Sequence, residues 1–137
     1  MDERERYQSG LGVRREVLGN AHVERTLKRR SAFNEAFQDF LTRYAWGEIW
    51  TRPGLPRRTR SMLTVALLVA LGRDEELRMH IQAAIRNGVS QEELQEVLMH
   101  TALYCGLPAA NAAFRIAEEA LAAEAGPPPA PESSNRG

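Results

Sequence analysis

Between Arg60 and Leu71 the chain carries Met62, Leu63, Val65, Ala66, Leu67, Leu68, Val69 and Ala70, apolar on almost every side of a helix, and Gly72 follows. That pattern predicts a helix buried on most faces and stopped by a glycine. A second helix is expected to open at Asp74 as N-cap, with Glu75 and Glu76 near its positive end and Leu77, Ile81, Ala84 and Ile85 on one face, ending at Asn87 and Gly88. Ser90 followed by Glu93 is a capping box. The residues Leu94, Val97, Leu98, Thr101, Ala102 and Cys105 then continue with helical spacing to a stop at Gly106. Pro108 suits the first turn of a last helix whose Ala109, Ala112, Ala113, Ile116, Ala117, Ala120 and Leu121 form a narrow face of small residues.

The first half reads less cleanly. Helices are expected around Gly12–Leu18, Ala21–Arg29 and Ala32–Ala45, the last with Phe33, Phe37, Phe40, Leu41 and Tyr44 on one side, before a loop containing Pro53, Gly54 and Pro56. Strand-like alternation and internal repeats are absent, so the fold class is all-α. The length of 137 residues suits one domain over residues 1–125, with a core at 56–125 and a helical extension at 1–55. The segment from Gly126 to Gly137 holds four prolines and nothing to bury, and is expected to be a disordered tail. The small-residue face, and apolar positions too numerous for one small core, predict a homo-oligomer.

Composition narrows the function classes. Eighteen cationic residues balance eighteen acidic ones, so no overall field favours nucleic acid or an anionic membrane. Lys28 is the sole lysine; the remaining cations are arginines, whose planar forks suit carboxylates. The N-terminus lacks the apolar stretch of a signal peptide, and the longest apolar run, Val65 to Leu71, is too short to span a bilayer, which points to a cytoplasmic protein. Cys105 is the only cysteine, so an intrachain disulfide or CxxC pair is excluded.

Among candidate chemical groups, His80 falls beside Leu77, Ile81 and Ala84, where it is either a core-edge histidine or a proton donor. Glu76, four residues earlier, is placed to orient its ring across one helical turn. His100, among Val97, Thr101 and Tyr104, reads as pocket lining at best. Trp46 and Trp50, with Glu48 between them, wall a pocket or pack at a subunit boundary. Arg57, Arg58 and Arg60 form a solvated turn, an anion site or a partner for a substrate carboxylate. No HExxH motif or cysteine pair accompanies the histidines, so no metal is expected. Ser61 lacks a nucleophile elbow.

The words HIQAAIRNGVSQEEL and YCGLPAANAA, within Ser61–Ala117, resemble the carboxymuconolactone decarboxylase family, related to the alkylhydroperoxidase D-like fold. Upstream, GxRRxVLGxAHVxR at Gly12–Arg25 and FQDFLTRYAWGEIWTRPGL at Phe37–Leu55 look like the branch that acts on 4-carboxymuconolactone. The resemblance implies a compact orthogonal bundle of about six to eight helices, a hexamer, and cofactor-independent decarboxylation to 3-oxoadipate enol-lactone in protocatechuate catabolism. It also implies a lactone dicarboxylate as the small-molecule partner. Peroxidase-type relatives use a glutamate, a CxxC pair and a histidine. Counting back from His80 puts Arg73 and Glu76 at the two cysteine positions and Ser61 at the glutamate position, so only the histidine is kept. A scaffold without those thiols fits acid–base chemistry, with His80 as the acid and Glu76 beside it. Arg58 or Arg60, with Arg78 behind them, is then expected to hold a substrate carboxylate, while Trp46 and His100 line the pocket. The competing accounts are thiol-dependent peroxidase chemistry through Cys105 and a non-catalytic oligomer that binds a small ligand.

Overall fold

A computed structural model describes residues 1–125, and the tail expected from Gly126 onward lies outside them. The described residues form seven α-helices, α1 (Glu3–Leu18), α2 (Asn20–Lys28), α3 (Glu35–Phe40), α4 (Arg57–Leu71), α5 (Asp74–Arg86), α6 (Gln91–Cys105) and α7 (Leu107–Ala125). A π-helical segment, Leu41–Ile49, continues directly from α3. No strand occurs among the described residues, so the fold is all-α.

The C-terminal helices end where glycine permits. Gly72 and Gly106 sit at φ 68° and 97° after α4 and α6, and Gly88 at φ 93° follows the Asn87 cap of α5, conformations that a β-carbon disfavours. Ser90 accepts from the Glu93 amide at 3.0 Å while the Glu93 carboxylate accepts from the Ser90 amide, which completes the capping box of α6. The cap of α5 differs by one residue from expectation: Arg73 is the N-cap, and Asp74 opens the helix without a side-chain capping bond. The acidic first turn still suits the helix dipole.

Helices α4 to α7 enclose the main core, built from Val65, Val69, Leu77, Ile81, Leu94 and Leu98 against Ala113, Ile116, Ala117 and Ala120 of α7. The small residues of α7 therefore let α5 and α6 approach it closely.

The N-terminal half departs further from the sequence expectation. Helix α1 starts at Glu3, nine residues before the apolar period becomes clear, because Asp2 and Glu5 form a capping box of their own. The single helix expected over 32–45 is divided. Ser31 and Asn34 exchange side-chain bonds with each other's backbone amides and Asn34 holds the Arg29 carbonyl, so a turn precedes α3. From Leu41 the chain widens into the π form. Phe33, Phe37 and Phe40 remain exposed rather than packing as one buried side.

Glycines explain how the π segment seats on α1. A β-carbon on Gly10 would lie 2.0 Å from the Thr42 carbonyl oxygen, and one on Gly47 would lie 2.8 Å from the Arg6 carbonyl oxygen. The two backbones touch because neither residue has a side chain. Polar ties lock the register: Arg6 pairs with Glu48 at 2.7 Å, and the Tyr44 hydroxyl donates to Glu3 at 2.8 Å. Val13, Val17 and Trp46 form a second, smaller core between α1 and the π segment, and α1 also packs on α5.

Candidate functional site

His80 lies on α5 beside the strip that Leu77, Ile81 and Ala84 bury in the main core. Its Nδ1 is buried and has no hydrogen-bond partner. A buried ring nitrogen left without a partner is uncommon in native proteins. Burial, the neighbouring His22 and, in the opposite sense, Glu76 together lower the His80 pKa from 6.5 to about 4. In the free protein at neutral pH the imidazole is therefore uncharged. Glu76 is exposed and acts on His80 through its charge.

His22 projects from α2, half-buried, and burial together with Arg14, Arg25 and Arg29 lowers its pKa. It lines a cleft of about 350 Å³ between the α1–α2 junction and α5, shared with Arg25, Glu75, Arg78, Met79 and Arg86. Met79 and Ala83, which flank His80 on α5, also line this cleft.

The arginine nearest this group in charge was not singled out from the sequence. Arg14 is only 6% exposed on α1. Its Nη1 donates to Gln38 Oε1 and Thr42 Oγ1, each at 3.3 Å, and its Nε is buried without a partner. Both acceptors are neutral and both bonds are long. The signal was hidden because Arg14 sits in a run of charged residues, Arg14-Arg15-Glu16, where a solvated position is the ordinary reading. Only the seating of the π segment covers it.

The three arginines expected to meet substrate have partners of their own. Arg58 forms an ion pair with Glu93. Arg78 reaches the rim of the cleft but pairs with Glu119 at 2.7 Å. Arg60 donates to the Arg52 carbonyl at 3.2 Å, and its Nε is buried without a partner. Trp46 is buried and stacks on Trp50, with ring centroids 5.0 Å apart, at the α1–π interface. His100 is exposed on α6, its ring 5.0 Å from that of Tyr104, and lines an apolar groove with Met62, Leu63, Ala66 and Val97.

Ser61 is buried and accepts from Asn87 Nδ2 at 3.0 Å, a tie between α4 and the end of α5. Cys105 is partly buried at the last turn of α6. Among the described residues no group of three or more histidine, cysteine, aspartate or glutamate side chains is placed to hold a metal ion.

The cleft is thus lined by Arg25, Arg78 and Arg86 with Glu75 as the acid among them, while Arg14, one turn before Leu18 on α1, disfavours the charged form of His22, and Glu76 favours that of His80. Such a lining suits an anion.

The chain is 56% identical over 119 residues to a 4-carboxymuconolactone decarboxylase of Acinetobacter baylyi, covering 87% of this chain and 89% of that one. It is 37% identical over 115 residues to a nitrosuccinic acid decarboxylase of Metarhizium robertsii, covering 84% and 80%. It is also 52% identical over 48 residues to a 4-carboxymuconolactone decarboxylase of Pseudomonas putida, covering 35% of this chain and all of that sequence. Residues 35–119, from α3 through most of α7, match the profile of the Carboxymuconolactone decarboxylase family. The chain belongs to the carboxymuconolactone decarboxylase family.

Proposed function

We propose that this protein decarboxylates 4-carboxymuconolactone to 3-oxoadipate enol-lactone, a step of aromatic catabolism through protocatechuate in the cytoplasm, using neither metal nor organic cofactor. The observation that carries the reading is His80, a histidine with a buried, unpartnered Nδ1 on the helix whose Met79 and Ala83 line a cleft shared with Arg25, Arg78 and Arg86. The similarity to the Acinetobacter baylyi enzyme supports the choice of substrate.

The substrate is a butenolide whose γ-carbon carries both a carboxylate and an acetate arm. When the bond to the carboxylate breaks, CO2 leaves and the electron pair enters the ring, forming a dienolate on the lactone oxygen. A proton then adds at the α-carbon. The lactone itself is the electron sink, so the protein has to position the dianion, stabilise the dienolate and deliver one proton. His80 is neutral in the free protein, and a bound dianion raises its proton affinity. It therefore takes up a proton as substrate binds and delivers it to carbon after CO2 leaves. Glu76 adds negative charge beside the ring in the same sense.

The named substrate of the Metarhizium robertsii relative fits this scheme. Nitrosuccinic acid carries a carboxylate, an electron-accepting nitro group and an acetate arm on one carbon. A dicarboxylate that contains its own sink is common to both chemistries.

The test is direct. Substrate is generated in situ from its carboxymuconate precursor, and absorbance and CO2 release are followed after exhaustive chelation. Undiminished turnover is expected. No turnover, or activity restored only by added metal, removes the reading.

Assembly belongs to the same proposal. Leu63, Leu67 and Leu71 form an exposed ridge on α4, and Leu103 and Tyr104 of α6 are about three-quarters exposed. Such a large apolar face is expected to be covered by further copies of the chain. Light scattering should give a mass near six times 15.4 kDa, and a monomeric mass overturns the assembly.

A further inference from the structure

A guanidinium withdrawn from water is costly unless a counter-charge meets it, and removing two charges together is repaid only by good geometry. Arg14 is 6% exposed, with two long bonds to neutral acceptors and a buried Nε that has no partner. Carboxylates claim other arginines nearby: Glu48 takes Arg6, Glu24 takes Arg15 at 2.7 Å, and Glu35 and Asp39 take Arg30. The fold thus spends its acids on more exposed cations and leaves the buried one unmatched. The α1–π contact is built to do this, since the glycine contact at Gly10 and Gly47 brings Thr42 over the Arg14 head group. Leu18, one turn after Arg14 on α1, lines the cleft with His22, and the Arg14 charge lowers the proton affinity of that histidine.

We propose that Arg14, held by Thr42 and Gln38, is the fork that binds the acetate-arm carboxylate of the substrate, and so selects substrates that retain a second carboxylate. This rests on the decarboxylase reading above. The assignment has a chemical logic. The departing carboxylate must lose charge in the transition state, so a strong cation on it would oppose the reaction. The acetate arm keeps its charge throughout, and a bidentate arginine there fixes the reacting carbon without penalising CO2 loss. The arm is also the group shared by 4-carboxymuconolactone and nitrosuccinic acid, whose electron sinks differ.

The test compares wild type, Arg14→Met and Arg60→Met with the natural substrate and with its acetate-arm monomethyl ester. In parallel, calorimetry follows binding of adipate and monomethyl adipate, which requires no turnover. Wild type should prefer the free diacid by about 10²–10³-fold in kcat/KM and should bind adipate more tightly than its ester. In Arg14→Met both preferences should shrink to near unity, while Arg60→Met should keep them.

Stability separates binding from a structural role. If Arg14 is buried for a ligand, Arg14→Met relieves an uncompensated charge and its Tm is unchanged or higher in ligand-free protein. A lower Tm with the diacid preference retained assigns Arg14 to structure and overturns the proposal. A change of oligomeric mass in Arg14→Met also overturns it, because its counter-charge then comes from another copy. Loss of the preference in Arg60→Met alone moves the arm to the first turn of α4 and likewise overturns the proposal. If wild type binds adipate with the stated preference yet fails to turn over 4-carboxymuconolactone, the arm-binding role stands and the substrate reading fails. If wild type distinguishes neither pair, the arm-binding role fails whether or not turnover occurs.

Discussion

Replacing His80 by alanine should lower kcat by about 10²–10⁴-fold, the range that a positioned proton donor supplies, with the helical content and oligomeric mass unchanged. His80→Gln should be nearly as slow, because an amide can donate a hydrogen bond but cannot deliver a proton to carbon at neutral pH. Full activity in either variant removes His80 from the mechanism.

The pH dependence sharpens the test. The free protein's His80 pKa is about 4, and kcat/KM reports the free enzyme, so kcat/KM should fall with rising pH over the range of about 5 to 8. The dianion raises the pKa in the complex, so kcat should hold level to a higher pH than kcat/KM does. Coincident limbs, or two flat profiles, would mean that the proton comes from another source. Stability moves in the opposite direction. The folded pKa lies below the ordinary 6.5, so between about 4 and 6.5 the unfolded chain binds more protons than the folded one. This contribution is complete above pH 6.5 and is lost as pH falls through the folded pKa. Denaturant midpoints should therefore fall with acidification in wild type, and less so in His80→Ala.

Gly10→Ala is expected to have the largest structural effect of any single methyl group added to the protein. The new β-carbon would stand 2.0 Å from the Thr42 carbonyl oxygen and 3.0 Å from the Gly47 amide nitrogen, both backbone atoms in a segment tied down by Glu48 and Tyr44. Relief requires α1 and the π segment to separate. A loss of about 3 kcal/mol, or roughly 10 °C in Tm, is expected. The same separation moves Thr42 off Arg14 and Trp46 out of the smaller core, so activity should fall even in the fraction that folds.

Gly12→Ala on the same helix is the control. Its β-carbon meets nothing within 4 Å, and the substitution should stabilise by up to about 1 kcal/mol through helix propensity. Equal midpoints for the two variants in thermal denaturation would show that α1 and the π segment part without cost, against the close backbone fit at Gly10.

The C-terminal half was legible in the sequence because its determinants are local. Ser90 and Glu93 cap α6 across three residues, and Gly72, Gly88 and Gly106 supply positive φ where helices end or turn. The apolar period of α5 and α6 places Leu77, Ile81, Leu94 and Leu98 directly in the core. The place of His80 beside that strip follows from helical spacing too, whereas its reading as a proton donor came from the family resemblance.

The N-terminal half was decided by partners distant in the chain. Asp2 and Glu5 carry a local capping signal, but without an apolar period behind them they read only as a charged end. The π form of Leu41–Ile49 has no periodic signature in the residues; it accompanies the fit of Gly47 and Thr42 against Gly10. Arg14 is the clearest case. Its sequence neighbours suggest a solvated side chain, and only a segment distant in the chain covers it and leaves it without a carboxylate. The residues alone determined the helices of the C-terminal half, most of their ends and the place of His80 on α5. The tertiary structure decided which cation would be buried, because burial of a charge depends on what the rest of the chain lays over it.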